Sequence, residues 1–121
     1  MSEERLKAWG YFHDWCLDSV TVGPNADPRE LTLGLYVGNR RAAVTFSGVT
    51  CVSVEHFGLL NIVYGIHIVP PADSKYARAS AVLERGERLS PRKAALLAFV
   101  YSTLGAEIAI ECDSVVAQEV A

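Results

Sequence analysis

Between Leu31 and Phe46 the chain alternates apolar and polar side chains twice, once on each side of a Gly-Asn pair. Leu31, Leu33, Leu35 and Val37 fall on one face of an extended segment, with Thr32, Gly34 and Tyr36 on the other. Ala42, Val44 and Phe46 then share a face, opposed by Arg41, Ala43 and Thr45. A period of two is the pattern of a strand buried on one side. Gly38 and Asn39 both tolerate the positive φ that a two-residue turn demands. A helix cannot satisfy this spacing, so the segment predicts an antiparallel hairpin with one face in water.

The same period recurs along the chain. Leu60, Ile62, Tyr64, Ile66 and Ile68 alternate with Asn61, Val63, Gly65 and His67 until Pro70-Pro71 ends the run. Ala106, Ile108, Ile110 and Cys112 alternate with Glu107, Ala109 and Glu111, giving one apolar and one acidic face. Further strands are predicted from Asp14 to the turn-rich residues 23–28, at 51–56 and at 114–120. Residues 73–85 place Tyr76, Ala79 and Leu83 at helical spacing ahead of Gly86, which predicts a helix. Ser90-Pro91 would open a second helix, in competition with a strand over 96–103. The strand is preferred, because Phe99-Val100-Tyr101-Ser102-Thr103 is aromatic and β-branched. Ser2, Glu3 and Glu4 ahead of Leu6 and Trp9 suit a short helical turn. The expected fold is mainly β, with α+β as the variant: one domain over residues 1–121, holding an antiparallel sheet or sandwich of about seven strands with one or two short helices.

Composition narrows the function. Eleven Lys and Arg against fourteen Asp and Glu give a net charge of -3, so the basic field that sequence-independent nucleic-acid binding needs is missing. The longest apolar run, residues 94–101, is far short of the roughly 20 residues of a membrane span. Met1-Ser2-Glu3-Glu4-Arg5 does not read as a secretory signal. Cys16, Cys51 and Cys112 are odd in number and widely spaced, without a Cys-x-x-Cys pair. These features predict a cytoplasmic protein with reduced thiols, partnered by neither nucleic acid nor membrane.

Chemistry-bearing residues gather in two places. Trp9, Tyr11, Phe12, His13, Asp14, Trp15 and Cys16 form an aromatic stretch. His13 and Cys16 could supply two ligands to a metal, but only His56 and His67 remain as further histidines, so no metal and no cofactor are expected. His13-Asp14 and Glu55-His56 each set an imidazole beside a carboxylate, the pairing of a general base and its orienter. Neighbours on a strand point to opposite faces, so the preferred reading gives Asp14 a turn role and packs His13 at the strand entry. If the two strand ends met, His13, Glu55 and His56 would form a cluster. Trp9 and Trp15 suit either an interface hot spot or the seal of a small core. Arg40, Arg41, Arg85, Arg88, Arg92 and Lys93 read as solvated surface. The motifs of common hydrolases, nucleotide binders and metalloproteases are missing. No catalytic residue is therefore assigned, and the candidate binding residues are Trp9, His13, Asp14, Trp15, Glu55 and His56.

Three stretches, Tyr11-Phe12-His13-Asp14-Trp15, Val54-Glu55-His56-Phe57-Gly58-Leu59-Leu60-Asn61-Ile62 and the run from Tyr101 to Cys112, resemble a group of small bacterial β-rich proteins of unknown function. Some of that group are classed with the immunity proteins of polymorphic toxin systems. The resemblance implies a cytoplasmic, non-enzymatic domain that binds a protein partner, and it carries over no catalytic residue. Two functions follow. One is a protein-binding or inhibitory module, expected to self-associate as a homodimer through an unpaired strand such as 106–112. The other is a ligand-binding or enzymatic β domain whose pocket is lined by His13, Glu55, His56 and His67.

Overall fold

The computed structural model describes residues 2–121. In chain order it contains α1 (Ser2–Lys7), a 3-10 turn (Gly10–Phe12), β1 (Cys16–Val22), β2 (Glu30–Val37), β3 (Arg40–Ser47), β4 (Cys51–Glu55) and β5 (Ile62–Ile68). After these come α2 (Tyr76–Glu84), β6 (Leu96–Leu104), β7 (Glu107–Cys112) and β8 (Ser114–Val120). All eight strands belong to one antiparallel sheet, so the fold is mainly β, as the alternation predicts. In the β2–β3 hairpin Leu31 pairs with Phe46, Leu33 with Val44 and Leu35 with Ala42, and all six are buried. Gly38 turns between the strands at φ +57.

Spatial order along the sheet is β4-β7-β6-β5-β1-β2-β3-β8. Its two ends are joined, because β3 runs into β4 and β7 into β8 as two bent strands lying side by side. The β3–β8 ladder ends at Ser47 and Ser114, and the β4–β7 ladder resumes at Cys51 and Glu111 with the register moved by one residue. Between them the Thr50 N–H bonds the Glu111 carbonyl and the Asp113 N–H bonds the Ser47 carbonyl, both at 2.9 Å. The sheet thus closes into a barrel, which removes most of its edges. Gly48 makes the bend possible. It sits at φ +66, and a Cβ there would lie 2.1 Å from the Asp113 carboxylate.

One core fills the barrel. Leu17, Leu33, Leu35, Val44, Phe46, Ile66, Val100, Ile108 and Ile110 belong to it, and Leu6 from α1 and Phe12 from the 3-10 turn are buried with them. A second core lies outside the barrel, where Ala79, Val82 and Leu83 of α2 pack on Cys51, Leu97, Phe99 and Ala109. Buried on both faces, β6 needs a continuous apolar run and not an alternating one. That is why residues 96–103 fold as the preferred strand and not as the competing helix.

Several expectations need correction. The strand from Asp14 begins at Cys16, and the helix expected over 73–85 covers Tyr76–Glu84. Register shifts in β5, between Ile62 and Val63 and between Val63 and Gly65, break the strict alternation. Val63 and Ile66 therefore point inward, while Tyr64 and Leu60, expected inside, are about half exposed. A further shift between Leu17 and Ser19 in β1 leaves Ser19 and Thr21 exposed. Residues 106–112 offer no free strand edge, since β7 is paired with β4 on one side and β6 on the other.

Candidate functional site

Of the predicted binding residues, Glu55 and His56 lie at one rim of the barrel, where β4 and β6 end and β5 and β7 begin. Glu55 pairs with Glu107 across β4 and β7, and Ile62 pairs with Leu104 across β5 and β6. The loop 56–61 lies between β4 and β5. Asn61 organises it although the residue is only 2% exposed. Its Oδ1 accepts from the N–H groups of Gly58 (2.9 Å) and Ala106 (3.0 Å). Its Nδ2 donates to the carbonyls of Leu17 (3.2 Å) and Gly58 (3.0 Å). One amide thereby ties the loop to β1 and to the β6–β7 turn. Gly105, at φ +93, lets that turn lie against the backbone of Leu60 and Asn61.

Held in this way, the loop turns apolar side chains outward. Leu59 is fully exposed, and Phe57 and Leu60 are nearly half exposed. Leu104 at the end of β6, beside the adjoining turn, and Val54 of β4 are exposed as well. None of these five was among the sequence candidates. The available signal was Asn61, a strongly polar residue between Leu60 and Ile62 that needs partners once buried.

Glu55, His56 and Glu107 come together, with one ligand atom from each within 4.8 Å of the others. Both carboxylates already have cationic partners. Arg85 donates to Glu55, at 3.0 Å for one of two bonds, and holds its carboxyl below the usual range. Arg78 pairs with Glu107. A metal would have to displace two guanidinium groups, so the arrangement acts as an ion-pair network that braces α2 against β4 and β7.

His13 and Asp14 lie at the start of β5 and not on a strand of their own. Asp14 has φ +68, which brings the two side chains to the same side, with His13 Nε2 and Asp14 Oδ2 3.5 Å apart. The strand-neighbour objection to this pair therefore does not hold. Asp14 is a central residue of the turn that the Trp15 N–H closes on the Phe12 carbonyl at 3.1 Å, as expected of it, and its own N–H bonds the Val63 carbonyl across the strands at 2.8 Å. His13 Nδ1 lies 2.9 Å from the Tyr64 carbonyl. A carbonyl only accepts, so Nδ1 carries the proton in this bond. His13 also meets the Tyr64 ring edge-on, with centroids 5.0 Å apart.

Trp9, Phe12 and Trp15 pack on one another with ring centroids 5.2 to 5.6 Å apart, and Arg40 lies over both tryptophans. Trp15 is buried. This is the core-sealing alternative of the two that the aromatic stretch allowed.

His67 sits elsewhere again, on the outer face of β5, stacked on Tyr11 at 4.3 Å. Burial and the neighbouring Lys75 push its pKa down. The strands β6 and β7 separate the His13 end of β5 from the Glu55 end of β4. The four residues of the supposed pocket line neither the concavity between loops 23–29 and 86–92 nor the smaller one between α2 and residues 94–97.

The larger concavity, about 810 Å³, lies at a different place, between loop 23–29 and loop 86–92. Comparison with protein-family models, curated proteins and solved structures finds no match to this chain.

Proposed function

We propose that the protein is a non-catalytic protein-binding module that docks its partner on loop 56–61 and the adjoining Leu104 turn. The observation that carries this reading is the full exposure of Leu59 on a loop pinned by the four hydrogen bonds of Asn61. An apolar side chain held in water stabilises nothing in the free chain. Its burial in a complex is worth about 1.5 to 3 kcal/mol, and a loop that is already ordered loses little entropy on binding. The partner surface is accordingly a shallow apolar depression that takes Leu59 as its central contact. The immunity-type role implied by the resemblance would be one case of this, with a toxin domain as the partner.

The test compares tagged wild-type protein with Leu59→Asp in a quantitative pull-down, each first shown to have the same thermal melt. The expected result is one protein captured in stoichiometric amount by the wild type and lost with the variant. Equal capture by both would remove the loop from the docking surface.

A further inference from the structure

The barrel closes through two bent strands, and at each bend one strand runs on without its former neighbour. The outer side of β8 is covered by α1, whose Arg5 guanidinium donates to the Val115 carbonyl at 3.1 Å. Beside β4 the corresponding corner is spanned only by loops. The last backbone contact on that side is the Val49 N–H to the Arg29 carbonyl, at 3.1 Å. Beyond it loops 23–29 and 86–92 stand apart and leave the cleft of about 810 Å³. This volume falls in the range of small-molecule sites.

The lining is apolar beneath and acidic around. Val49 and Val52 form part of the floor, and Val22 and Leu89 stand on opposite lips, 74% and 76% exposed. The wall carries two guanidinium groups and four carboxylates. Each arginine already has a carboxylate from the same wall: Arg92 bonds Asp113 at 2.8 Å, and Arg29 lies 3.7 Å from Asp27. The two remaining acids have no cationic partner among the described residues. Glu30 accepts only the Ser47 hydroxyl, at 3.0 Å, and Glu87 makes no ion pair. Charge complementarity therefore favours a cation, while the floor and lips favour an apolar body.

We propose that this cleft is a binding site for a small organic amine, its apolar body seated on Val49 and Val52 between Val22 and Leu89 and its ammonium group held by Glu30 and Glu87. The site is separate from loop 56–61, so it does not depend on the docking role proposed above. An anionic ligand of the same shape would meet two uncompensated carboxylates and be rejected.

Amide-resolved NMR titration of the full chain with phenethylamine, phenethyl alcohol and hydrocinnamate tests the proposal, since the three share a body and differ in charge. Phenethylamine is expected to shift the amides of Val49, Val52 and Leu89 and to bind about tenfold more tightly than the alcohol. Hydrocinnamate is expected to be weaker still. Glu87→Gln and Glu30→Gln, which keep the shape of the wall, should each weaken the amine about five- to tenfold and leave the alcohol unchanged. Equal binding of amine and alcohol overturns the proposal, as do shifts confined to other parts of the chain or an absence of saturation below about 10 mM amine. Shifts of the cleft amides with protein concentration alone overturn it too, because a second copy would then occupy the cleft.

Discussion

Arg88 and Glu111 form a bidentate ion pair, with both guanidinium–carboxylate contacts at 2.8 Å, that fastens the loop after α2 to the outer face of β7. The same carboxylate accepts the Thr50 hydroxyl and the Ala94 N–H. Glu111 is buried, and these donors hold its pKa down at about 2, led by the Arg88 bond. Because the folded value lies below that of the unfolded chain, the pair stabilises the fold fully above the ordinary glutamate range. That stability is lost as the pH falls from about 4.5 toward about 2. The loss is expected to be roughly 2 to 4 kcal/mol. Denaturant melts of wild type and Glu111→Gln across this window check it: the variant should show a much flatter pH dependence. Parallel curves would mean that another group carries the acid sensitivity.

Asn61 is the second place where one side chain holds several segments. Asn61→Asp keeps the shape but replaces the amide donor with an acceptor facing the carbonyls of Leu17 and Gly58. A loss of about 2 to 4 kcal/mol is expected, with faster hydrogen exchange at Gly58 and Ala106. Unchanged exchange at these two amides would detach the loop's order from Asn61.

Gly48→Ala tests the closure. The methyl group meets the Asp113 carboxylate and the backbone lies in the left-handed region, so about 1 to 3 kcal/mol of stability should be lost. Adding Asp113→Gly removes the collision but not the backbone strain, and should recover part of the loss. If Gly48→Ala alone melts like the wild type, the bend is not where the barrel is constrained.

Leu33 and Ile66 are both fully buried in the barrel. Truncation of either to Ala is expected to cost about 2 to 5 kcal/mol. Tyr64→Ala, on the same expected face of β5 but half exposed, should cost clearly less. Calorimetric Tm values rank the three, and an equal loss at Tyr64 contradicts the shifted phase of β5.

The thiols make a graded set. Burial pushes the Cys51 thiol up and the Cys112 thiol up to about 12, while Cys16 is partly exposed. Under native conditions a thiol reagent should modify Cys16 first, leaving Cys51 and Cys112 to react at the rate of unfolding. Peptide mapping of the labelled protein gives the order directly.

The sequence exposes the β2–β3 hairpin well, because one face of each strand meets a single core and Gly38-Asn39 sets the register. It misplaces β5 because a bulge adds a residue without changing the composition of the run, so Leu60 and Tyr64 still look like inward positions. It separates His13 from Asp14 because nothing local announces the left-handed turn at Asp14. Of the rim residues, Glu55 and His56 are found by their chemistry. Leu60 passes for core, and nothing local marks Phe57 or Leu59 as exposed, because exposure is decided by what Asn61 holds, through partners in β1 and in the β6–β7 turn. The cleft has no local signature at all. It exists only where two bent strands part, with loops more than fifty positions apart facing each other across the gap.

The bent ladder also bears on how the chain is made. Ser47 closes β3, yet its partner Ser114 lies 67 positions later (114 less 47). At roughly 5 to 20 residues per second, a ribosome would take about 3 to 13 s to supply that partner. Throughout that interval the β2–β3 hairpin presents an unsatisfied flank to its surroundings, and its inward row of Leu31, Leu33, Leu35, Val44 and Phe46 has no barrel to fill. Newly made chains are therefore most open to mispairing with one another before β8 is complete, and a holdase that shields this hairpin would act within those seconds.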